Sequence, residues 1–300
     1  MNKKLWGWIT VFTFCSLLQL SCKKDKNSVP ETPVDLGGIT WTPTAIDNFI
    51  YDSLTVPYNV AVNYKWLPGQ LDFPSDIVPP MEAQVVPVLQ ALLNVAYAPY
   101  NQVTGNTDFL RKYLPKTLRL AGSAEYLSNG AMFLGQAEGG TAMLLFQVNS
   151  YSRQLADSNA FKQMMHTMHH EFGHILHQNK MYPTAFKTIS TGYTGNWYNV
   201  PDSTARKLGF ISAYAMSAPD EDFVEMISSM LCGGPNGPTG NYDEYEYLLY
   251  QSYYDNPTLD AYYAIKNKEA MVVDYFAKSW NIDFYALREK CRAAFDGYLQ

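Results

Sequence analysis

Outside one short stretch this 300-residue chain has no histidine: all five lie between His166 and His177. Cysteine is nearly as sparse, and beyond the N-terminal segment only Cys232 and Cys291 occur. Two cysteines so far apart make neither a disulfide framework nor a C-x-x-C motif. They read as two small buried thiols, with a disulfide left open should the compartment be oxidising. Basic residues are outnumbered 22 to 28, for a formal net charge of −6. Nucleic-acid binding needs a clustered basic face, so no nucleic-acid partner is expected. The N-terminal apolar run, Leu5 to Leu20, falls short of the roughly 20 residues that a membrane-spanning helix needs. No internal repeat is present. What the chain does have is apolar and aromatic residues, 47% hydrophobic with 23 tyrosines. That is enough for a proper core. Most of the rings read as packing and a minority as the lining of a binding groove.

The N-terminus reads as a secretory signal: basic Met1-Asn2-Lys3-Lys4, the uncharged run, then Ser21-Cys22 and a polar KKDKNS. A small residue directly before cysteine resembles a bacterial lipoprotein lipobox, although Gln19 stands where an aliphatic side chain is usual. The resemblance implies a signal peptide over residues 1–21 and a lipid on Cys22. The protein would then be anchored to the bacterial outer membrane, on its periplasmic or cell-surface face. Residues 22–43, polar and rich in Pro and Gly, read as a flexible tether. The folded domain is expected over 44–300.

Within that domain TAIDNFIYDSL (44–54) has helical spacing and NVAVNYKWL (59–67) alternates like a strand. A second helix is expected over 80–97, with Pro87 a kink or restart point. KTLRLAGSAEYL (116–127) and the apolar TAMLLFQVNS (141–150) follow, linked by the turn-rich NGAMFLGQAEGG. Asp157 or Ser158 can cap a long helix that runs through the histidines to about Asn179, with Pro183 as a stop. Residues 187–210 read as a long loop. PDEDFVEMISSMLCGG opens another helix, acidic in its first turn and closed by a Gly pair. The rest is helical in pattern. Strands and a few helices followed by helices almost alone imply an α+β fold, a small mixed sheet beside the histidine helix and a mostly helical C-terminal part.

His166 to Asn179 reads HTMHHEFGHILHQN. A zinc site needs imidazole nitrogens that converge at about 2.0–2.1 Å from one ion, and on a helix only residues three or four apart stand side by side. The pairs 166/170, 170/174 and 174/177 meet that spacing. Glu171 breaks the tie. Hydrolysis wants a carboxylate beside the metal-activated water, and His170-Glu171-Phe172-Gly173-His174 is the H-E-x-x-H arrangement. His166, His169 and His177 read as packed or solvated. His177 shares the face of His170 but lies about 10 Å further along the axis, too far for one ion to reach all three. It reads instead as a hydrogen-bond partner of a supporting group or of solvent.

For the third ligand, the metzincin extension is excluded, because His177 and Lys180 stand where its glycine and last histidine belong. The alternative is a glutamate from a second helix, as in gluzincins. YAMSAPDEDFVE (214–225) resembles the third-ligand helix of anthrax lethal factor and related zincins. Carried over, Glu221 matches the metal-ligating glutamate, Glu225 the acid that orients a ligand histidine, and Tyr214 the tyrosine that hydrogen-bonds the oxyanion. Asp220 and Asp222 are the rival ligands in a shifted register. The whole chain also resembles the Bacteroidetes lipoproteins called substrate-import-associated zinc metallohydrolases. That resemblance implies a zincin-like fold, one Zn²⁺ per chain, a peptide or protein substrate and an association with an outer-membrane nutrient importer.

The chemistry expected is hydrolysis, with Glu171 as base and Tyr214 as oxyanion donor, and with strand 141–150 as a sheet edge that holds an extended peptide. Two other readings stand beside it. One is hydrolysis of a non-peptide amide or glycan-linked group, with TGYTGNWYNV (191–200) as a sugar-binding surface. The other is a non-catalytic nutrient-binding lipoprotein.

Overall fold

Thr44 opens the first helix with a capping box: its hydroxyl accepts from the Asp47 backbone while the Asp47 carboxylate accepts from the Thr44 N–H. The computed structural model describes residues 42–65, 77–126, 132–133, 135–138, 141–154, 158–232, 244–254 and 258–299. The signal segment, Cys22, nearly all of the tether, Asp157 and the Gly pair after Cys232 lie outside these residues. Helix α1 (Ala45–Ile50) passes through a π-helical turn, Tyr51–Thr55, into α2 (Val56–Tyr58). Likewise α3 (Glu82–Ala91) continues through a π-helical Leu92–Tyr97 into α4 (Ala98–Thr104).

Pro87 lies inside α3 without ending it, so the expected restart does not occur there. Its fixed φ suits a helix, and only one backbone hydrogen bond is lost. The departures from α geometry come instead just before Val56-Pro57 and Ala98-Pro99, where a wider turn keeps a carbonyl clear of the proline ring. Helix α5 (Asp108–Tyr113) leads into the sheet.

Strands β1 (Ala61–Asn63), β2 (Thr117–Leu120) and β6 (Ala142–Leu145) run parallel, and β5 (Gly135–Glu138) adds antiparallel to β6, in the order β1-β2-β6-β5. A separate hairpin pairs β3 (Glu125–Tyr126) with β4 (Met132–Phe133). Two expectations are corrected here. The apolar strand is not an edge: β2 pairs with one side of it and β5 with the other, so it has no free ladder for a peptide. The segment read as turn-rich supplies β4 and β5, and β5 is the edge strand on that side. All of β6 is buried. Its Met143 and Leu145 join the main core, and Leu144 joins Phe146, Ile77 and Ala121 in a smaller cluster. A strand covered on both faces reads as an unbroken apolar run, which reveals its burial but not its neighbours.

The histidine helix, α6, spans Asn159–Asn179. Ser158 takes the N-cap position, without a capping hydrogen bond from its side chain. The supposed loop 187–210 contains 3₁₀ turns and a short helix, α7 (Asp202–Lys207). Helix α8 (Pro219–Cys232) packs on α6, with α9 (Glu244–Tyr254), α10 (Asp260–Tyr275) and α11 (Phe284–Tyr298) around its other sides. Met226, Ile227 and Met230 of α8 are accordingly fully buried. Cys291 is buried, Cys232 half-buried, and no disulfide joins them.

Helices α6 and α8 approach closely at Gly173. A Cβ there would stand 3.0 Å from Val224 Cγ1 and 3.2 Å from Val224 Cβ. Val224 is β-branched and stiff, so it yields little. Gly173→Ala is therefore expected to destabilise the domain by about 1–3 kcal/mol through overpacking, against a gain of about 0.5–1 kcal/mol from helix propensity. In a Val224→Ala background the same change should cost less, because the 3.0 Å contact with Cγ1 is gone while the contact with Cβ remains. Urea unfolding of the four proteins in this cycle measures it, and simple additivity would remove the close-contact argument.

Candidate metal centre

His170 and His174 stand one turn apart on α6 and present Nε2 to the same oxygen of Glu221. The distances to Glu221 Oε2 are 3.0 Å from His170 and 3.1 Å from His174. Around an ion at about 2.0–2.1 Å, tetrahedral donors would lie roughly 3.3 Å apart; both distances to Glu221 come within a few tenths of an ångström of that, and all three donor atoms lie within 4.8 Å of one another. The donor set, two imidazoles and one carboxylate, leaves a fourth position for water.

Successive residues on a helix point about 100° apart, and the acidic triplet that opens α8 divides accordingly. Asp220 accepts from the Tyr182 hydroxyl and from Lys187 Nζ at 3.0 Å. Asp222 turns into the core and pairs with the fully buried Lys268 at 2.6 Å, with Tyr193 donating to it at 2.9 Å. Glu221 alone faces the histidines. The two aspartates are thus paired elsewhere, and Glu221 is the acid of the three that hydrogen-bonds His170 and His174. Lys268 also donates to the Gly209 carbonyl at 2.7 Å, at a residue whose φ of 81° suits glycine.

One turn on, Glu225 is buried and takes three donors. Its Oε1 accepts from His170 Nδ1 at 2.9 Å and from His166 Nε2 at 2.8 Å, and its Oε2 from the Ser212 hydroxyl at 2.6 Å. Burial opposes a charge there, but His166 and His170 hold the carboxyl well below the ordinary range. Glu221 is lowered too, its burial outweighed by His170 and His174. His170 is buried as well, yet with carboxylates at both nitrogens it is raised to about 10. A divalent cation at Nε2 would take the place of that proton. His166, His170 and Glu225 also come within 4.8 Å of one another. Their contacts are hydrogen bonds to a single carboxylate that supports His170 from behind.

Glu171, beside His170 in the chain, is buried, and its charge bears on both His170 and Tyr214. Tyr214 lies in a 3₁₀ turn, Tyr214–Met216, its ring 5.6 Å from that of His170 and close to the Glu221 carboxylate. Burial and these carboxylates raise its hydroxyl above the usual tyrosine value. Trp197 packs edge-on against Tyr214 at 4.8 Å, and Tyr193 is tied to Asp222. Two aromatics of the loop read as a sugar surface therefore turn inward, and only Tyr198 stands out.

The remaining histidines take three different places. His169 is a core residue, lowered to about 3 by burial and 3.4 Å from the Tyr100 hydroxyl. His166 supports Glu225 rather than lying in solvent. His177 is buried, lowered to about 4 chiefly by burial, and its Nε2 lies 3.0 Å from His174 Nδ1. The spacing 166/170/174/177 already placed these four on one face, and that was the available signal. Ser212, Tyr193 and Lys268 gave none.

Two helices that bring a histidine pair and a glutamate to one point define the class, a zinc-binding metallohydrolase site of the kind peptidases carry. Residues 39–285 match the family described as "Putative zinc-binding metallo-peptidase", and the chain belongs to that family. Among solved structures, a putative zinc-binding metallo-peptidase from Bacteroides caccae ATCC 43185 is similar, with a TM-score of 0.68 at 29% identity, over 84% of this chain and 92% of that one. No curated protein matches.

The charges of this site give a stability profile for protein stripped of metal by chelator. His170, raised to about 10, contributes fully below the ordinary value of 6.5 and loses that contribution as pH rises towards 10. His169 and His177, lowered to about 3 and 4, must take up protons on unfolding below pH 6.5, so their contribution is lost as pH falls. Stability should therefore peak near pH 6.5. Each proton contributes on the order of 1.4 kcal/mol per pH unit on either side. Urea midpoints from pH 5 to 9 measure this, and a profile that rises from 7 to 9 would contradict the His170 pairing.

Proposed function

We propose that this protein is a gluzincin-like peptidase in which His170, His174 and Glu221 hold one zinc and Glu171 is the general base. The observation that carries it is the meeting of both Nε2 atoms on one oxygen of Glu221, with Glu171 next to the first ligand. Zinc, when bound, lowers the pKa of a coordinated water towards about 7 and polarises a substrate carbonyl. Glu171 accepts the proton of the attacking water on its carboxylate and passes it to the leaving amine. Tyr214 donates a hydrogen bond from its hydroxyl to the carbonyl oxygen as charge builds there. One well-placed donor of this kind contributes on the order of 3 kcal/mol. Glu225 orients His170 and keeps a negative charge behind it. The edge strand β5 is where an extended substrate backbone would pair.

The N-terminal pattern that ends in Ser21-Cys22 supports an outer-membrane lipid anchor, and the family resemblance supports a place beside a nutrient importer. Cys22→Ser should release the protein from the membrane fraction, and a wild type that is already soluble and unacylated would remove the anchor.

Four substitutions separate the roles at the metal. Glu171→Gln should keep zinc and lower turnover roughly 10²-fold or more on a peptide library. Glu221→Gln should lose zinc affinity. Tyr214→Phe should keep zinc and lower kcat more than KM. Full activity in Glu171→Gln would end the peptidase mechanism, and loss of zinc in Glu225→Gln but not in Glu221→Gln would move the third ligand.

A further inference from the structure

The two ligand histidines are backed by different chemistry. His170 Nδ1 faces an anionic carboxylate, Glu225, at 2.9 Å. His174 Nδ1 faces another imidazole, His177, at 3.0 Å. The nearest carboxylate in sequence to Glu221, Asp220, is occupied by Tyr182 and Lys187 and does not serve His174. His177 is 3% exposed. Its ring is clamped edge-on by Tyr182 at 5.7 Å and by Phe223 at 6.4 Å. Its other nitrogen, Nδ1, is buried without a hydrogen-bond partner. Such a half-satisfied buried side chain disfavours the fold unless its single hydrogen bond is needed.

The proton arrangement follows from the chemistry of ligation. If His174 offers Nε2 to a metal, its own proton sits on Nδ1. The His177 nitrogen that faces it must then accept, and His177 carries its proton on the unpartnered Nδ1.

We propose that His177 is a positioning residue of the metal centre, whose Nε2 accepts the Nδ1 proton of His174 and so fixes the tautomer and tilt in which His174 presents Nε2. This rests on the reading of His174 as a zinc ligand. It also explains why a histidine stands where the metzincin pattern has glycine: the side chain three residues beyond His174 is the one that can reach back to it along the helix face.

The test compares full-length wild type with His177→Phe, which keeps a ring but removes the acceptor, and His177→Gln, which returns an acceptor at similar reach. Zinc affinity is measured by competition with a chromophoric chelator, the cobalt(II) form by its visible spectrum, and the chelated proteins by thermal melting. His177→Phe should bind zinc 10- to 100-fold more weakly and shift the cobalt bands. His177→Gln should recover most of both. Chelated His177→Phe should melt no lower than wild type, because the substitution removes an unsatisfied buried N–H. Wild-type zinc affinity and an unchanged cobalt spectrum in His177→Phe would overturn the proposal, as would a lowered melting point with zinc affinity intact. A wild type that binds no zinc would instead refute the metal-site reading itself.

Discussion

The distance between two helices governs this molecule. Helices α6 and α8 meet where Gly173 offers no side chain and Val224 fills the space, and that approach lets a glutamate on one helix reach two imidazoles on the other. A methyl group of extra separation would move Glu221 Oε2 away from both nitrogens together, because a helix shifts as a rigid body. Site and core packing are therefore one constraint. The residues that hold the helices together, Phe223 against Tyr182 and Phe186, and Met226, Ile227 and Met230 beneath, also hold the donors in register.

Around that contact, three carboxylates have counterparts of opposite or donor character. Glu225 has three donors, Glu221 two imidazoles, and Asp222 a lysine and a tyrosine. Buried carboxylates are tolerable only in such company, since desolvation alone would force them to protonate. The negative charge so retained is what suits the point between His170 and His174 to a divalent cation. The same arrangement ranks the supports, with an anion behind His170 and a neutral ring behind His174.

What could be read in advance divides by distance along the chain. His170, Glu171 and His174 were legible because a spacing of three or four residues becomes proximity on any helix. Glu221 and Glu225 were legible only through the resemblance of residues 214–225, since no helical rule says which of three consecutive acids faces a partner. The helix start near Thr44 followed from apolar spacing, and the end at Asn179 from a later proline. β6 was visible as an apolar run, but its place between β2 and β5 was not, because burial on two faces says nothing of order. β5 was hidden by its composition: Gly135-Gln136-Ala137-Glu138 has no alternation to detect. Pro87 misled because one lost hydrogen bond does not stop a helix whose other contacts are sound. Ser212, Tyr193 and Lys268 gained their roles only when distant segments met.

Lys268 carries a consequence for how the molecule is made. It lies on α10, long after the histidines in sequence, yet its ammonium neutralises the aspartate next to Glu221 and holds the Gly209 turn that precedes Tyr214. Without that lysine Asp222 would keep only the Tyr193 hydroxyl as a partner in a buried setting. Contacts of such long range form late in folding, after the loops between them have closed. Lys268 lies 91 residues beyond the last histidine, so the histidine helix is complete in the chain well before the residue that pairs with Asp222. The setting of the first turn of α8, which carries Glu221, thus depends on a C-terminal helix as well as on the histidine helix.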